Sequence, residues 1–434
     1  MSKVTRQVVH TLMAAAAGIA LTMASLIGGT SAASAGFKFK TVVDTSTAVP
    51  RGGGALFGLT LGSAPAVSGN NVVFTANNEE IWTASTTGRG LVRVISPNMR
   101  IPGGHGATFH QDYGTFVQVH GDTVVLVGLD CSLCNSGMGL YAVPVAGGTV
   151  KRLVDVNLAR PDNPEQNFGR FGDDFDANGA HVVFANSGGV YAVRVVGGRS
   201  NVVTDVANCT LGDYCGFGLP TLDSLDSEVL LKASNGLSNG RIELARRAGG
   251  LITIVADGAM HPPNTPRAYR FDEFFGSFDL PVIDRSADHN NRVFKGESAA
   301  ASAPRIYGIY NFGSAGHIGL VDSTTPVPGG TGAFSGSGFV GPGARSLAAG
   351  NGIVIFRGID ATGKLGIYAV RASGGAITKI IAQGDPINGT TVDTAEPQSL
   401  VFRREGFDGT TLVFVAQYAG NTGRGVFSTQ VVLP

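Results

Sequence analysis

The chain has 434 residues, of which 64 are glycine and only 15% are charged, with 32 Lys and Arg set against 32 Asp and Glu. That balance excludes attraction to nucleic acid or to a membrane surface by bulk charge, and glycine scattered between apolar runs excludes a collagen-like fibre. The length exceeds that of an ordinary single core and no linker divides it, so a fold of repeated units is the arrangement that fits.

Residues 1 to 35 are the first element. Lys3 and Arg6 give a positive start, residues 11 to 28 are apolar and uncharged, and Ala33-Ser34-Ala35 supplies a small-residue cleavage pattern before Gly36. The run is short and rich in Ala and Gly for a span of about 20 residues, so a cleaved secretory signal peptide is expected rather than an anchor. Export to a bacterial periplasm or exterior follows, with no membrane span after cleavage and residues 36 to 434 forming one domain.

After Gly36, the stretch FKFKTVVDTSTAVPRGGG has the form of an outer strand and a long loop, without the strands that should come before them. A first kind of strand then recurs after a turn, as paired β-branched or aromatic residues: NNVVFTA at 70 to 76, GDTVVLVG at 121 to 128 and GAHVVFA at 179 to 185. It returns as SEVLLKA at 227 to 233, NRVFKG at 291 to 296, GIVIFRG at 352 to 358 and TTLVFVA at 410 to 416. A second kind follows each of these: EIWTAS at 80 to 85, GLYAVPVAGG at 139 to 148, GVYAVRVVGG at 189 to 198, RIELARR at 241 to 247, RIYGIY at 305 to 310, GIYAVRASGG at 366 to 375 and GVFSTQ at 425 to 430. A third strand comes after a Gly-Gly or similar hairpin turn, as in TVKRLVDV and AITKIIAQG. A long loop with Pro and Phe then leads to a short inner run such as SAPAVSG at 63 to 69 or DLPVIDR at 279 to 285.

Copies about 50 to 60 residues apart suit four-stranded blades with generous loops. The last copy stops soon after its second strand, and the segment after Gly36 supplies the strand it lacks. The expected fold is therefore all-β, a seven-bladed β-propeller closed by strands from both termini, which removes exposed sheet edges.

The repeated order of a turn, VVF-A, G-IYAV, GG and an apolar strand ending in Gly-Asp resembles exported bacterial β-propeller repeat proteins. It is similar to TolB-type propeller repeats in strand order and to secreted repeat families that carry the same phrase. The resemblance covers essentially the whole chain after residue 35 and implies a fold without a chemistry. The loops before each inner strand are much longer than in the TolB pattern.

Chemistry in such a ring sits on the loops from an outer strand to the next inner strand, which gather on one face around the channel. Residues 96 to 118 carry His105, His110, Gln111, Asp112 and Tyr113. Residues 157 to 176 carry Arg160, Arg170, Asp173 and Asp174, and residues 257 to 281 carry His261, Tyr269, Arg270, Asp272 and Glu273. The candidate ligand-binding set is His110, Asp112, Arg170, Asp173, Asp272 and Glu273. Phenylalanines recur at equivalent places in these loops, among them Phe109, Phe168 and Phe271, and are expected to pack between blades rather than stack on a ligand.

Cys131 with Cys134 and Cys209 with Cys215 read as two local disulfides of an exported protein. A metal site from all four is the alternative, which the wider second spacing disfavours. Asp174-Phe-Asp176-Ala-Asn178-Gly179 opens like a calcium loop, but Val182 and Ala185 stand where further oxygen ligands belong, so a turn is the expected reading and no cofactor is assigned. No G-x-S-x-G elbow, H-E-x-x-H or phosphate loop occurs. The sequence thus points to a monomeric, non-catalytic binding or scaffolding module for a protein or carbohydrate partner. A propeller hydrolase or lyase with channel-mouth carboxylates, calcium-assisted or not, and a structural surface protein are the alternatives.

Overall fold

The computed structural model describes residues 36–434 except 60–63, 78–79, 104–107, 110–115, 130–137, 170, 172–174, 187–188, 206–215, 223–226, 235–240, 250–251, 258, 264, 266–269, 274–280, 285–290, 301–302, 314–315 and 341–345. Seven antiparallel sheets of four or five strands follow one another along it, each with strands a to d from the central channel outward, and a two-stranded hairpin, Pro386–Ile387 with Thr390–Thr391, lies apart from them. Blades 1 to 6 occupy residues 66–95, 117–155, 175–205, 216–256, 270–322 and 347–382. Blade 7 takes strands a, b and c from Leu400–Val401, Thr411–Gln417 and Arg424–Gln430, and its outermost strand from Lys40–Asp44. Lys40 pairs with Ser428 and Asp44 with Gly425, so the ring closes through both ends of the chain as the sequence predicts.

The repeated phrase has a steric reason. Strand positions two apart share a face, so the glycine that opens strand c lies beside the tyrosine two residues on. A Cβ on Gly366 would stand 2.6 Å from the Tyr368 hydroxyl oxygen, and one on Gly358, at the end of strand b, 2.5 Å from the Phe334 ring. Only glycine leaves room for the ring group: Phe334 meets Tyr368 edge-on at 5.0 Å, and Phe356 stacks on Tyr368 at 5.7 Å. Phe168 with Tyr191, Phe271 with Tyr310 and Phe57 with Trp82 repeat the edge-on contact, each at 5.0 Å. Phe57, Phe109, Phe168, Phe271 and Phe334 are each buried against residues of two neighbouring blades, as expected from their recurrence. Gly374 and Gly375 turn strand c into strand d at φ +82° and +118°, a left-handed pair that side chains resist, which is why Gly-Gly recurs.

Blade 5 departs from the sequence reading. The stretch 257 to 281 is not all loop, because its inner strand comes in two pieces, Arg270–Glu273 and Val282–Ile283, against different halves of a nine-residue strand b, Arg292–Ala300. That strand and the eleven-residue strand c, Ala303–Gly313, outlast those of blade 1, and the short helix Gly336–Val340 packs beside strand c.

Candidate functional site

The loops from strand d to the next strand a share one face, and four of their bases are built alike. In these a carboxylate at or just past the end of strand d ties the turn after it. Asp44 accepts from the Ser46 and Thr47 hydroxyls at 2.6 and 2.9 Å, and Asp322 accepts from those of Thr324 and Thr325 at 2.7 and 3.0 Å. Asp155 accepts the Asn157 amide at 3.0 Å and Asp257 the Ala259 amide at 2.9 Å. Beyond the turn the chain arches back on itself through single bridges, Ala48 with Leu56, Arg100 with Thr108, Ala159 with Asn167 and Pro326 with Ala333. The loops are therefore shaped arches rather than open chain. In the arch over blade 3, Asp162 accepts from the Arg160 guanidinium and from the Tyr191 hydroxyl at 3.0 Å, which pins the loop to strand c.

Burial pushes the Asp44 carboxyl upward, but its hydrogen bonds with Ser46 and Thr47 outweigh that and hold it below its ordinary value of 3.8. Asp162 is likewise pushed up by burial and brought below its ordinary value by Arg160 and Tyr191. A depressed carboxylate contributes stability that is complete above the unfolded pKa and is lost as pH falls through the lower folded one. The protection of the arches over 45–56 and 157–168 against hydrogen exchange, taken relative to the intrinsic rate at each pH, is therefore expected to fall as pH drops below about 4. Asp44→Asn should loosen the first arch already at neutral pH, and protection factors that stay constant between about pH 6 and 3 would refute the carboxylate clamp.

Of the predicted ligand-binding set, His110, Asp112, Arg170 and Asp173 lie outside the described residues, as do all four cysteines. Asp272 and Glu273 stand on the inner strand of blade 5 rather than on a loop, with Glu273 in register with Glu297 of strand b. Asp176, read as part of a turn, belongs instead to the inner strand Phe175–Ala177 of blade 3 and is fully buried. The turn itself is made by Asn178, whose side-chain oxygen accepts the amides of Ala180 and His181 at 3.1 and 3.0 Å.

Asp176 leads to the feature that sequence reasoning missed. In blade 7 the inner strand ends at Val401, pairing only with the upper half of strand b through Leu400–Ala416 and Val401–Val415. Residues 402–410 then leave the sheet and pass through a short helical turn, Arg404–Gly406, inside the ring. Arg404 reaches across the channel. It donates to Thr221 Oγ1 at 2.6 Å and the Phe175 carbonyl at 3.0 Å, pairs with Asp176 at 3.3 Å, and bonds Glu405 at 3.0 Å. Gln118 of blade 2 donates to Glu405 at 3.2 Å and to the Phe175 carbonyl at 2.9 Å, and accepts the Ala177 amide at 2.9 Å. Asp176 also accepts the Leu222 amide at 2.9 Å, and Thr221 donates to the Pro281 carbonyl at 2.6 Å, so the inner strands are sewn blade to blade. Arg403 lies over the Phe116 ring at 4.8 Å; burial lowers its pKa and Glu405 opposes that.

The arm fills the channel with charges that satisfy one another, as a buried charge requires. The signal for it was the run Arg403-Arg404-Glu405, placed where other copies carry a short turn. Among the described residues, no cluster of three or more His, Cys, Asp or Glu could hold a metal, and no helix is long and apolar enough to cross a membrane.

No family model matches the sequence, and no curated protein matches it. Solved structures do match in shape. An ancestral GH74 enzyme superposes over 90% of this chain and 51% of its own with a TM-score of 0.51 at 12% identity. Puromycin hydrolase superposes over 84% of this chain and 51% of its own with a TM-score of 0.50 at 13% identity. TolB from Acinetobacter baumannii covers 85% of this chain and 78% of its own at 9% identity, with a TM-score of 0.36. The chain spans about half the length of the first two. At such identities what is shared is the propeller fold.

Proposed function

We propose that this protein is an exported, monomeric, non-catalytic propeller that binds a protein or carbohydrate partner on its long-loop face. The observation that carries the reading is the state of the channel. Its converging ionisable groups, Arg404, Asp176 and Glu405, are engaged with one another and with inner-strand carbonyls and hydroxyls. They hold the ring, which leaves recognition to the arches. Arches clamped at their base present side chains with little entropy left to lose on binding, and Leu56, 56% exposed at the end of the first arch, offers an apolar anchor. Lys3, Arg6, the apolar run and Ala33-Ser34-Ala35 support export, and in that compartment the pairs Cys131–Cys134 and Cys209–Cys215 would close loops as disulfides.

The second reading is a hydrolase or lyase, favoured by Asp272 and Glu273 on an inner strand with Glu297 in register. A glycan array and a displayed-peptide library, each followed by turnover assays on the ligands that bind, separate the two. The expected result is saturable binding of one ligand class without turnover, weakened about tenfold by Leu56→Ser, as loss of an anchoring side chain implies. Bond cleavage abolished by Asp272→Asn with Glu273→Gln would replace this reading with the enzymatic one.

A further inference from the structure

The zero net charge of the sequence hides a segregation that the ring brings about. Strand c runs toward the face opposite the long loops in every blade, so the turns from c to d all emerge at the outer rim of that face. Neither the turn segments 85–92, 144–150, 194–200, 246–251, 313–316 and 371–377 nor the chain ends 430–434 and 36–40 contain Asp or Glu. Exposed cations stand there instead: Lys38, Arg89, Lys151, Arg194, Arg199 and Arg246. The d-strand carboxylates, such as Asp44, Asp257 and Asp322, sit at the opposite end of those strands; on the basic face Asp122, Asp284 and Asp408 belong to inner turns nearer the channel, and Glu228, in register with Arg246, pairs with Arg292. Cations further along the d strands, Arg93, Arg152 and Lys379, already pair with Glu80, Asp155 and Asp385.

Hydrogen bonds tie the turns of several neighbouring blades into a belt. Thr83 donates to the Val145 carbonyl at 2.6 Å, Asn201 to Arg247 at 3.0 Å, Asn311 to Ala372 at 2.8 Å and Ser428 to Thr86 at 2.6 Å, each bond linking neighbouring blades. Arg371 bonds the carbonyls of Leu433 and Pro434 at 3.0 and 2.7 Å and ties in the chain end. Two large aliphatic side chains are exposed on the belt, Val196 at 70% and Val432 at 75%. Beside Val432 a cleft of about 420 Å³ is lined by Lys38, Lys40, Thr86 and Ser428.

We infer that this rim docks on an anionic lipid bilayer. Cations spread around a perimeter meet a charged plane all at once, whereas a linear polyanion would reach only an arc of them. Exposed valines among the cations suit the boundary between headgroups and acyl chains, and the cleft pairs two ammonium groups with hydroxyls, the chemistry that holds a phosphodiester. Attraction of this kind adds up per Lys or Arg and is screened by salt.

The test is co-sedimentation of the full chain with vesicles of equal parts phosphatidylglycerol and phosphatidylethanolamine, and with vesicles of phosphatidylcholine alone. The expected result is binding to the anionic vesicles that weakens with salt and falls by more than about tenfold in Arg194→Ser with Arg199→Ser. Arg51→Ser with Arg100→Ser, on the long-loop face, should leave it unchanged. All variants share residues 1 to 35, so the differences report the rim. Equal binding to neutral vesicles, undiminished binding by the rim variant, or binding to soluble heparin without binding to vesicles would each overturn the inference.

Discussion

Arg404→Ala is expected to lower the stability of the ring by about 3 to 5 kcal/mol, the usual cost of removing one partner from a buried ion pair. The substitution takes from Asp176, which is 0% exposed, the guanidinium that pairs with it at 3.3 Å. It also unties Thr221 and the Phe175 carbonyl, so blades 3 and 4 lose their link to blade 7 across the channel. Pairing Arg404→Met with Asp176→Asn removes both charges and should recover at least about 1 kcal/mol, because a neutral pair needs less solvation than a buried carboxylate that has lost its cation. Urea midpoints followed through Trp82, the single tryptophan, measure both effects. A loss below about 1 kcal/mol in Arg404→Ala would mean that the arm occupies the channel without holding it.

Deleting residues 36–44 should be costlier still and should change the state of association. Val42 and Val43 are 3% and 1% exposed, and burying two such side chains contributes about 3 to 6 kcal/mol. Phe39 also meets Phe414 edge-on at 5.7 Å. Without the terminal strand, Arg424–Gln430 becomes a bare edge with unpaired amides and carbonyls, a template for another copy. Size-exclusion chromatography with light scattering should find dimers and larger species, where the state proposed for the intact chain is a monomer. A synthetic peptide of residues 36 to 48 should restore the monomer by refilling the edge. A truncated chain that stays monomeric with an unchanged melting temperature would show that the ring does not depend on its seam.

The all-β class, the position of each b and c strand and the terminal closure were legible because each depends on local rules repeated along the chain. NVVFTA at 71 to 76 and GVYAVR at 189 to 194 carry the near-continuous apolar runs of strands buried on both faces, and Gly374-Gly375 carries a turn that only glycine makes easily. The split inner strand of blade 5 was less legible, since a two-residue strand such as Val282–Ile283 leaves almost no period to read.

The sequence alone thus determined the repeat, its strand order and the seam, because side-chain alternation and turn chemistry act between residues close in the chain. Only the tertiary structure decided that Arg404 meets Asp176 from 228 positions away (404 − 176), which makes a turn-like acidic residue part of a buried ion pair. The same holds for charge. A net value of zero says nothing about where charges stand, and it took the common direction of the strands to bring cations to one rim and d-strand carboxylates to the other end of the ring.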